Sequence, residues 1–249
     1  MRSRIAAVTA LGVLACGRGK TPPPVGTAAA AAPDAPAGLL AYVSNEVSQD
    51  LSVIATASDS VVATIPLGAR VRGVHVSPDG RFVYVALSGS PRCPPTMPDE
   101  ECEKLKADKT KDGIALVDAA TRKVIRVLPG GSDPETFDIS RDGSTLFVSN
   151  EDAGVATVVD VASGSIKATV KVGTEPEGVR VQPGGKVVWV TGETAHNVTL
   201  IDAATGKLLG SIEVGRRPRS LAFTPGRWRK CRVRACWPWS AAQRRMPRP

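Results

Sequence analysis

The feature that most constrains this chain is a repeat of 42 residues. Tyr42-Val43-Ser44-Asn45-Glu46 recurs as Phe147-Val148-Ser149-Asn150-Glu151, with weaker copies at Tyr84-Val85-Ala86 and Trp189-Val190-Thr191-Gly192-Glu193. Tyr42 to Tyr84 spans 42 residues, as does Phe147 to Trp189. An aliphatic residue followed by Asp keeps the same interval at Val117-Asp118, Val159-Asp160 and Ile201-Asp202. The turn Ser77-Pro78-Asp79-Gly80 is echoed at Ser140-Arg141-Asp142-Gly143, Gln182-Pro183-Gly184-Gly185 and Thr224-Pro225. Tyr84 to Phe147 is 63 residues, one period plus an insertion of 21. A repeat of this size cannot bury its apolar faces alone and must stack on its neighbours.

Each period holds four short strand signals. In the best copy, Glu177 to Gln182 alternates, a Pro-Gly-Gly turn leads into Val187 to Val190, Asn197 to Asp202 follows, and Ala203-Ala204-Thr205-Gly206 turns into Lys207 to Val214. Four antiparallel strands joined by tight turns and repeated every 40-odd residues are the pattern of propeller blades, and they disfavour a solenoid. We letter the strands of a blade A (inner) to D (outer). The chain opens with B, C and D (Leu40 to Leu67), continues with three complete blades to Val214 and adds a lone A strand, Arg219 to Phe223. The expected fold class is all-β: a truncated β-propeller of about four four-stranded antiparallel blades, open or imperfectly closed. Four blades are the small limit of the architecture, so an arc is expected rather than a four-bladed ring.

The ends of the chain read differently from the repeats. Residues 1–16 have a basic start and an eleven-residue apolar run, Ile5 to Ala15, which suits a signal-peptide core and is too short to span a bilayer. The run ends at Val13-Leu14-Ala15-Cys16, similar to the lipobox of bacterial lipoproteins, so lipidation at Cys16 is expected; a plain secretory signal is the alternative. Residues 17–38, rich in Pro and Ala, read as a tether. The repeats occupy 39–226, with the insertion at 90–112. The formal charge of +8 would raise nucleic acid as a partner. All of that excess lies in residues 227–249, which carry eight basic and no acidic side chains and leave 24 of each sign elsewhere. The tail lacks strand or helix periodicity and reads as a shifted reading frame, so nucleic acid is not an expected partner; a basic tail that binds nucleic acid or anionic lipid is the alternative.

Antiparallel alternation places the D-to-A and B-to-C loops on one face of the arc, where binding on a rigid scaffold usually resides. The D-to-A loops offer Arg72, Glu135, Glu177 and Arg219 at equivalent places. The B-to-C loops offer Asn45 and Glu46, Asn150 and Glu151, and Glu193 with His196. These residues form either a recognition rim or a set of turn caps. Within the insertion, Cys93 and Cys102 are expected to pair in an exported protein. No metal site is expected, since the two cysteines lack metal-binding spacing and the chain has two histidines, His75 and His196. His75 sits mid-strand at a position held elsewhere by Asp138, Arg180 and Ala222, and is expected to be structural. No nucleophile elbow, phosphate-binding loop or zinc helix motif is present. The expectation is therefore a non-catalytic, cofactor-free, monomeric exported scaffold that offers one face to a periplasmic protein or small ligand and touches the membrane only through a lipid.

Tyr42-Val43-Ser44-Asn45, Val158-Val159-Asp160 and Ser77-Pro78-Asp79-Gly80 resemble the YVTN family of β-propeller repeats over residues 40–226. The strings Ala86-Leu87-Ser88-Gly89-Ser90-Pro91, Gly130-Gly131-Ser132-Asp133-Pro134-Glu135 and Gly215-Arg216-Arg217-Pro218-Arg219 are similar to exported propellers associated with pyrroloquinoline quinone-dependent alcohol catabolism. That resemblance implies a ring of about seven blades outside the cytoplasm. It also implies no established catalysis of its own. Two rival roles are a quinone- or haem-binding subunit of an oxidoreductase and, since the repeat stops before the basic tail, a truncated product without function. Ala55 stands at the blade Asp position, Val71 replaces the usual Pro, and Arg141 replaces the turn Pro.

Overall fold

A computed structural model describes residues 38–224, apart from Pro95 and Glu103. The expected signal segment with Cys16, the expected tether up to residue 37 and the tail at 227–249 lie outside the described residues. The first blade has three strands, β1 (Leu40–Asn45), β2 (Asp50–Ala55) and β3 (Ser60–Pro66). The second runs β4 (Arg70–Val76), β5 (Phe82–Ser88), β6 (Gly113–Asp118), β7 (Lys123–Leu128). The third runs β8 (Pro134–Ile139), β9 (Thr145–Asn150), β10 (Val155–Asp160), β11 (Ile166–Lys171). The fourth runs β12 (Pro176–Val181), β13 (Val187–Gly192), β14 (Asn197–Asp202), β15 (Leu208–Glu213). Every pairing is antiparallel between strands consecutive in sequence.

In the second and third blades the two middle strands are buried on both faces, and their alternation splits the core. Val83, Val85 and Leu87 of β5 with Ala115 and Val117 of β6 pack toward the first blade. Tyr84 and Ala86 with Ile114 and Leu116 pack toward the third, against Phe137, Leu146 and Val148. A further cluster joins the third and fourth blades through Phe147, Val158, Val179, Val188 and Ile201. Each interblade layer buries its own side chains, so stability accrues interface by interface. The outer strands contribute less: Ile125 and Leu208 are more than half exposed.

The repeat markers have physical causes. Asp118, Asp160 and Asp202 each accept hydrogen bonds from the backbone N–H and hydroxyl of the residue three positions on, closing the C-to-D turn. In Ser77-Pro78-Asp79-Gly80, Ser77 Oγ donates to Asp79 (2.6 Å) and accepts from Phe82 N, while Gly80 takes φ of 72°. Ser140, Asp142 and Gly143 reproduce this geometry, so Arg141 in place of Pro costs the turn nothing visible.

The inner strands β4, β8 and β12 lie side by side in that order, and β1, the B strand of the first blade, lies beside β4. The expected strand at Arg219–Phe223 is not a strand among the described residues. Its main chain lies along β12 and β13, with Thr191 Oγ1 donating to Arg219 O (3.2 Å) and Phe223 edge-on to Trp189. The first sheet keeps three strands, and the four-bladed closure is not formed among the described residues. The insertion carries a short helix, α1 (Asp99–Cys102), and a 3-10 turn at Lys109–Lys111. Cys93 and Cys102 are bonded, with their Cα atoms 5.6 Å apart.

Candidate functional site

Each complete inner strand contains a register shift against its neighbour: between Val71 and Val74, between Pro134 and Phe137, and between Pro176 and Val179. The residues within these bulges are Arg72-Gly73, Glu135-Thr136 and Glu177-Gly178. A bulge re-aims the side chain it carries. Here it brings Arg72, Glu135 and Glu177 to the loop face of the arc, in reach of residues from the B-to-C loops.

Two ionic clusters result. Arg72 pairs with Glu135 of the next blade and with Glu151 (3.1 Å) of that blade's B-to-C loop. One period on, Arg219 pairs through Nη2 with Glu177 (2.7 Å) and through Nη1 with Glu193 (2.9 Å), and Glu193 also takes Arg217. Glu177 and Glu193 share this second cluster as a carboxyl pair, 9% and 3% exposed. Burial, the hydrogen bond with Glu193, and the charges of Glu151 and Glu193 outweigh Arg219 and push Glu177 up to about 7. Burial acts on Glu193 in the same sense, but its hydrogen bond with Glu177 and the cations Arg219 and Arg217 hold it below the ordinary carboxylate range. Beside Glu177 lies a cavity of about 120 Å³ lined also by Thr136, Arg180, Arg219 and Ser220.

The remaining predicted residues divide by role. Glu46 pairs with Arg70 and, at 3.5 Å, with Arg92. Asn45 donates to Asp50 and Ser52 (both 2.7 Å), and the fully buried Asn150 donates to Val148 O and Thr157, so both asparagines hold their own turns. His196, at φ of 55°, places Nδ1 2.9 Å from Glu193 O. Asp112 ties the disulfide-bonded insertion to the end of β5 by accepting from Gly89 N (2.7 Å) and to the third blade by accepting from Asp133 N (3.0 Å), and Lys109 reaches Asp152 of the third blade (2.6 Å).

Two sets of residues are not visible as functional in the sequence. The first is the hydroxyl of the Ser-Asn-Glu motif. Ser149 Oγ accepts from Thr136 N (3.2 Å) and donates to Glu177 O (2.9 Å), so it fills the bulge of its own blade and fixes the backbone of the next blade's carboxylate. Thr191 does the same with Gly178 N (2.7 Å) and Arg219 O (3.2 Å). Gly178 has no room for a side chain, since an added Cβ would meet the Arg219 and Ser220 main chain. Ser149→Ala leaves Thr136 N without its buried acceptor, and we expect a loss of about 1–3 kcal/mol in urea denaturation. The second set lies on the inner wall. His75, Asp138 and Arg180 come from equivalent positions of three successive blades. Arg180 Nη1 is 3.1 Å from His75 Nε2, His75 Nδ1 is 3.9 Å from Asp138, and Asp138 accepts from Ile139 N and Val181 N. Sequence periodicity marks these only as polar positions.

A protein-family model described as "Lactonase, 7-bladed beta-propeller" matches residues 32–182, more than half of the chain. No curated protein is matched by the chain. Among solved structures it is similar to Kuenenia stuttgartiensis hydrazine synthase, at 20% identity and TM-score 0.57, over 69% of this chain and 45% of that one. It is also similar to a functionally unknown protein from Desulfotomaculum acetoxidans DSM 771, at 16% identity and TM-score 0.58, over 74% of this chain and 55% of that one. The chain thus spans about half the length of these solved chains, and the likeness concerns their fold. The expectation of a non-catalytic protein is corrected by the family match, because lactonases are hydrolases. The expectation had rested on the absence of a local catalytic motif, which a site assembled from separate blades need not leave in any one stretch of sequence.

Proposed function

The chain belongs to the lactonase family of seven-bladed β-propellers, and from that premise we propose that the pocket at Glu177 hydrolyses a small lactone or a closely similar cyclic ester. The observation that carries the reading is a buried carboxyl, set in a bulge beside a cavity with two arginines, whose surroundings push it up to about 7. A base poised near the working pH suits general-base catalysis. Ionised Glu177 takes a proton from water as its oxygen attacks the carbonyl carbon. N–H groups of Arg219 and Arg180 stabilise the negative charge that develops on the carbonyl oxygen. The tetrahedral intermediate collapses by breaking the ring C–O bond, and the proton passes from Glu177 to the leaving oxygen. The product is an open hydroxy acid whose new carboxylate faces the same arginines. The volume of about 120 Å³ selects a small ring.

We further read the chain as exported. The Cys93–Cys102 bond supports this, because such bonds persist in oxidising compartments. The test of the function is a pH-stat assay of the full chain, disulfide intact, on five- and six-membered lactones. Hydrolysis should rise with pH through an apparent value near 7, belonging to the Glu177–Glu193 pair. No rate above the uncatalysed blank on any of these rings would overturn the reading.

A further inference from the structure

A second concavity lies between the first two blades and the disulfide-bonded insertion. It has a volume of about 350 Å³, at the lower end of the range for small-molecule sites, and shares no lining residue with the Glu177 pocket. Four cations line it: Arg70 from the start of β4, and Arg92, Lys106 and Lys111 from the insertion. Two carboxylates oppose them. Glu46 is engaged by Arg70 and Arg92, and Asp108 is spent on Thr110 N and its hydroxyl, with Lys111 at 4.0 Å. The lining therefore keeps two positive charges in excess after its internal pairs are formed. Lys106 makes no ion pair among the described residues.

The construction of the cleft bears on what it can hold. The rim at Glu46 and Arg70 belongs to the rigid blades. The opposite wall belongs to the insertion, whose Arg92 adjoins the bonded Cys93 and whose far end is anchored by Asp112 to Gly89 N and Asp133 N. Glu46 bridges Arg70 of the blades and Arg92 of the insertion, and Lys106 and Lys111 of the insertion line the same cavity. Guanidinium and ammonium groups lining one cavity suit oxygen-rich anions. We propose that this cleft is a binding site for a small, multiply charged anion bearing carboxylate or phosphate groups.

The test is calorimetric titration of the full, oxidised chain at fixed ionic strength, with citrate and with pyrophosphate as probes. At least one probe should bind saturably, and the ratio of the two affinities identifies the preferred anion. An Arg92→Ala/Lys106→Ala variant should weaken that binding at least tenfold while its melting temperature stays near that of the parent. Lys186→Ala, on the opposite turn face, should leave it unchanged. A Cys93→Ser/Cys102→Ser variant should also bind more weakly, because the cationic wall loses its closure. Saturable binding of neither probe, or equal binding by the parent and the double cation variant, would overturn the proposal. Neither outcome bears on lactone hydrolysis, since the two pockets are built from different residues.

Discussion

Exchanging Glu177 for glutamine is expected to lower kcat for lactone hydrolysis by about 100-fold or more, with KM little changed, because loss of a general base removes on the order of 10²–10⁴ in rate. Glutamine keeps the shape and a hydrogen-bonding group toward Arg219 and Glu193, so the pocket should persist while the proton acceptor is lost. Glu193→Gln separates chemistry from structure. The hydrogen bond and charge of Glu193 help to raise Glu177, so their removal should shift the rising limb of the pH–rate profile to lower pH without abolishing activity. A rate in Glu177→Gln within threefold of the parent would place the base elsewhere, with His75 on the inner wall as the next residue to test.

The same carboxyl has a signature in stability. Its value in the folded chain lies above the ordinary 4.5, so the folded state holds the proton more tightly than the unfolded chain between 4.5 and about 7. The contribution of Glu177 is therefore fully present below 4.5 and is lost as pH rises toward 7. Glu193, held below 4.5, behaves in the opposite sense, and its contribution is lost as pH falls through the more acid range. The two windows do not overlap. Urea midpoints measured from pH 4.5 to 7.5 should decline less in Glu177→Gln than in the parent.

The architecture was legible in the sequence because its causes are local. Asp118, Asp160 and Asp202 recur since each closes a turn with residues two or three positions away. Ser77 and Ser140 recur because each builds the same turn with the Asp two positions on. The unbroken apolar run Ile114 to Val117 reads as a strand covered on both faces, which is its place between two blades. The site was half legible. Aligning the repeats places Arg72, Glu135, Glu177 and Arg219 at one position, but their pairing joins residues up to 79 apart, as in Arg72 with Glu151. The bulges that aim Glu135 and Glu177 depend on a hydroxyl from a neighbouring strand, seen in the sequence as a repeated Ser or Thr without a partner. The inner segment at 219–223 carries a strand pattern, yet a strand needs a hydrogen-bonded neighbour, and none exists for it among the described residues.

Phe137→Ala should produce the largest loss of stability in the chain, about 3–5 kcal/mol. Phe137 is fully buried on β8 within the layer between the second and third blades, and its ring lies 5.5 Å from that of His75. Truncation leaves a cavity in that one layer and touches neither the layer before it nor the one after. Single domains are stable by only about 5–15 kcal/mol, so the loss is a large share of the whole. The shape of the urea transition then reports how the blades are coupled. If they unfold as one unit, the midpoint should fall by about 1–5 M, given slopes of about 1–3 kcal/mol/M, with a single transition retained. If each interface stands alone, the transition should split, because the damaged layer releases before the intact ones. Phe147→Ala, in the layer between the third and fourth blades, supplies the control. Phe147 is almost as buried but, unlike Phe137, makes no ring contact with His75, so both variants should lose stability while Phe137→Ala should disturb the His75–Arg180 contact the more. A change of less than 1 kcal/mol in Phe137→Ala would mean that the interblade layers do not carry the fold.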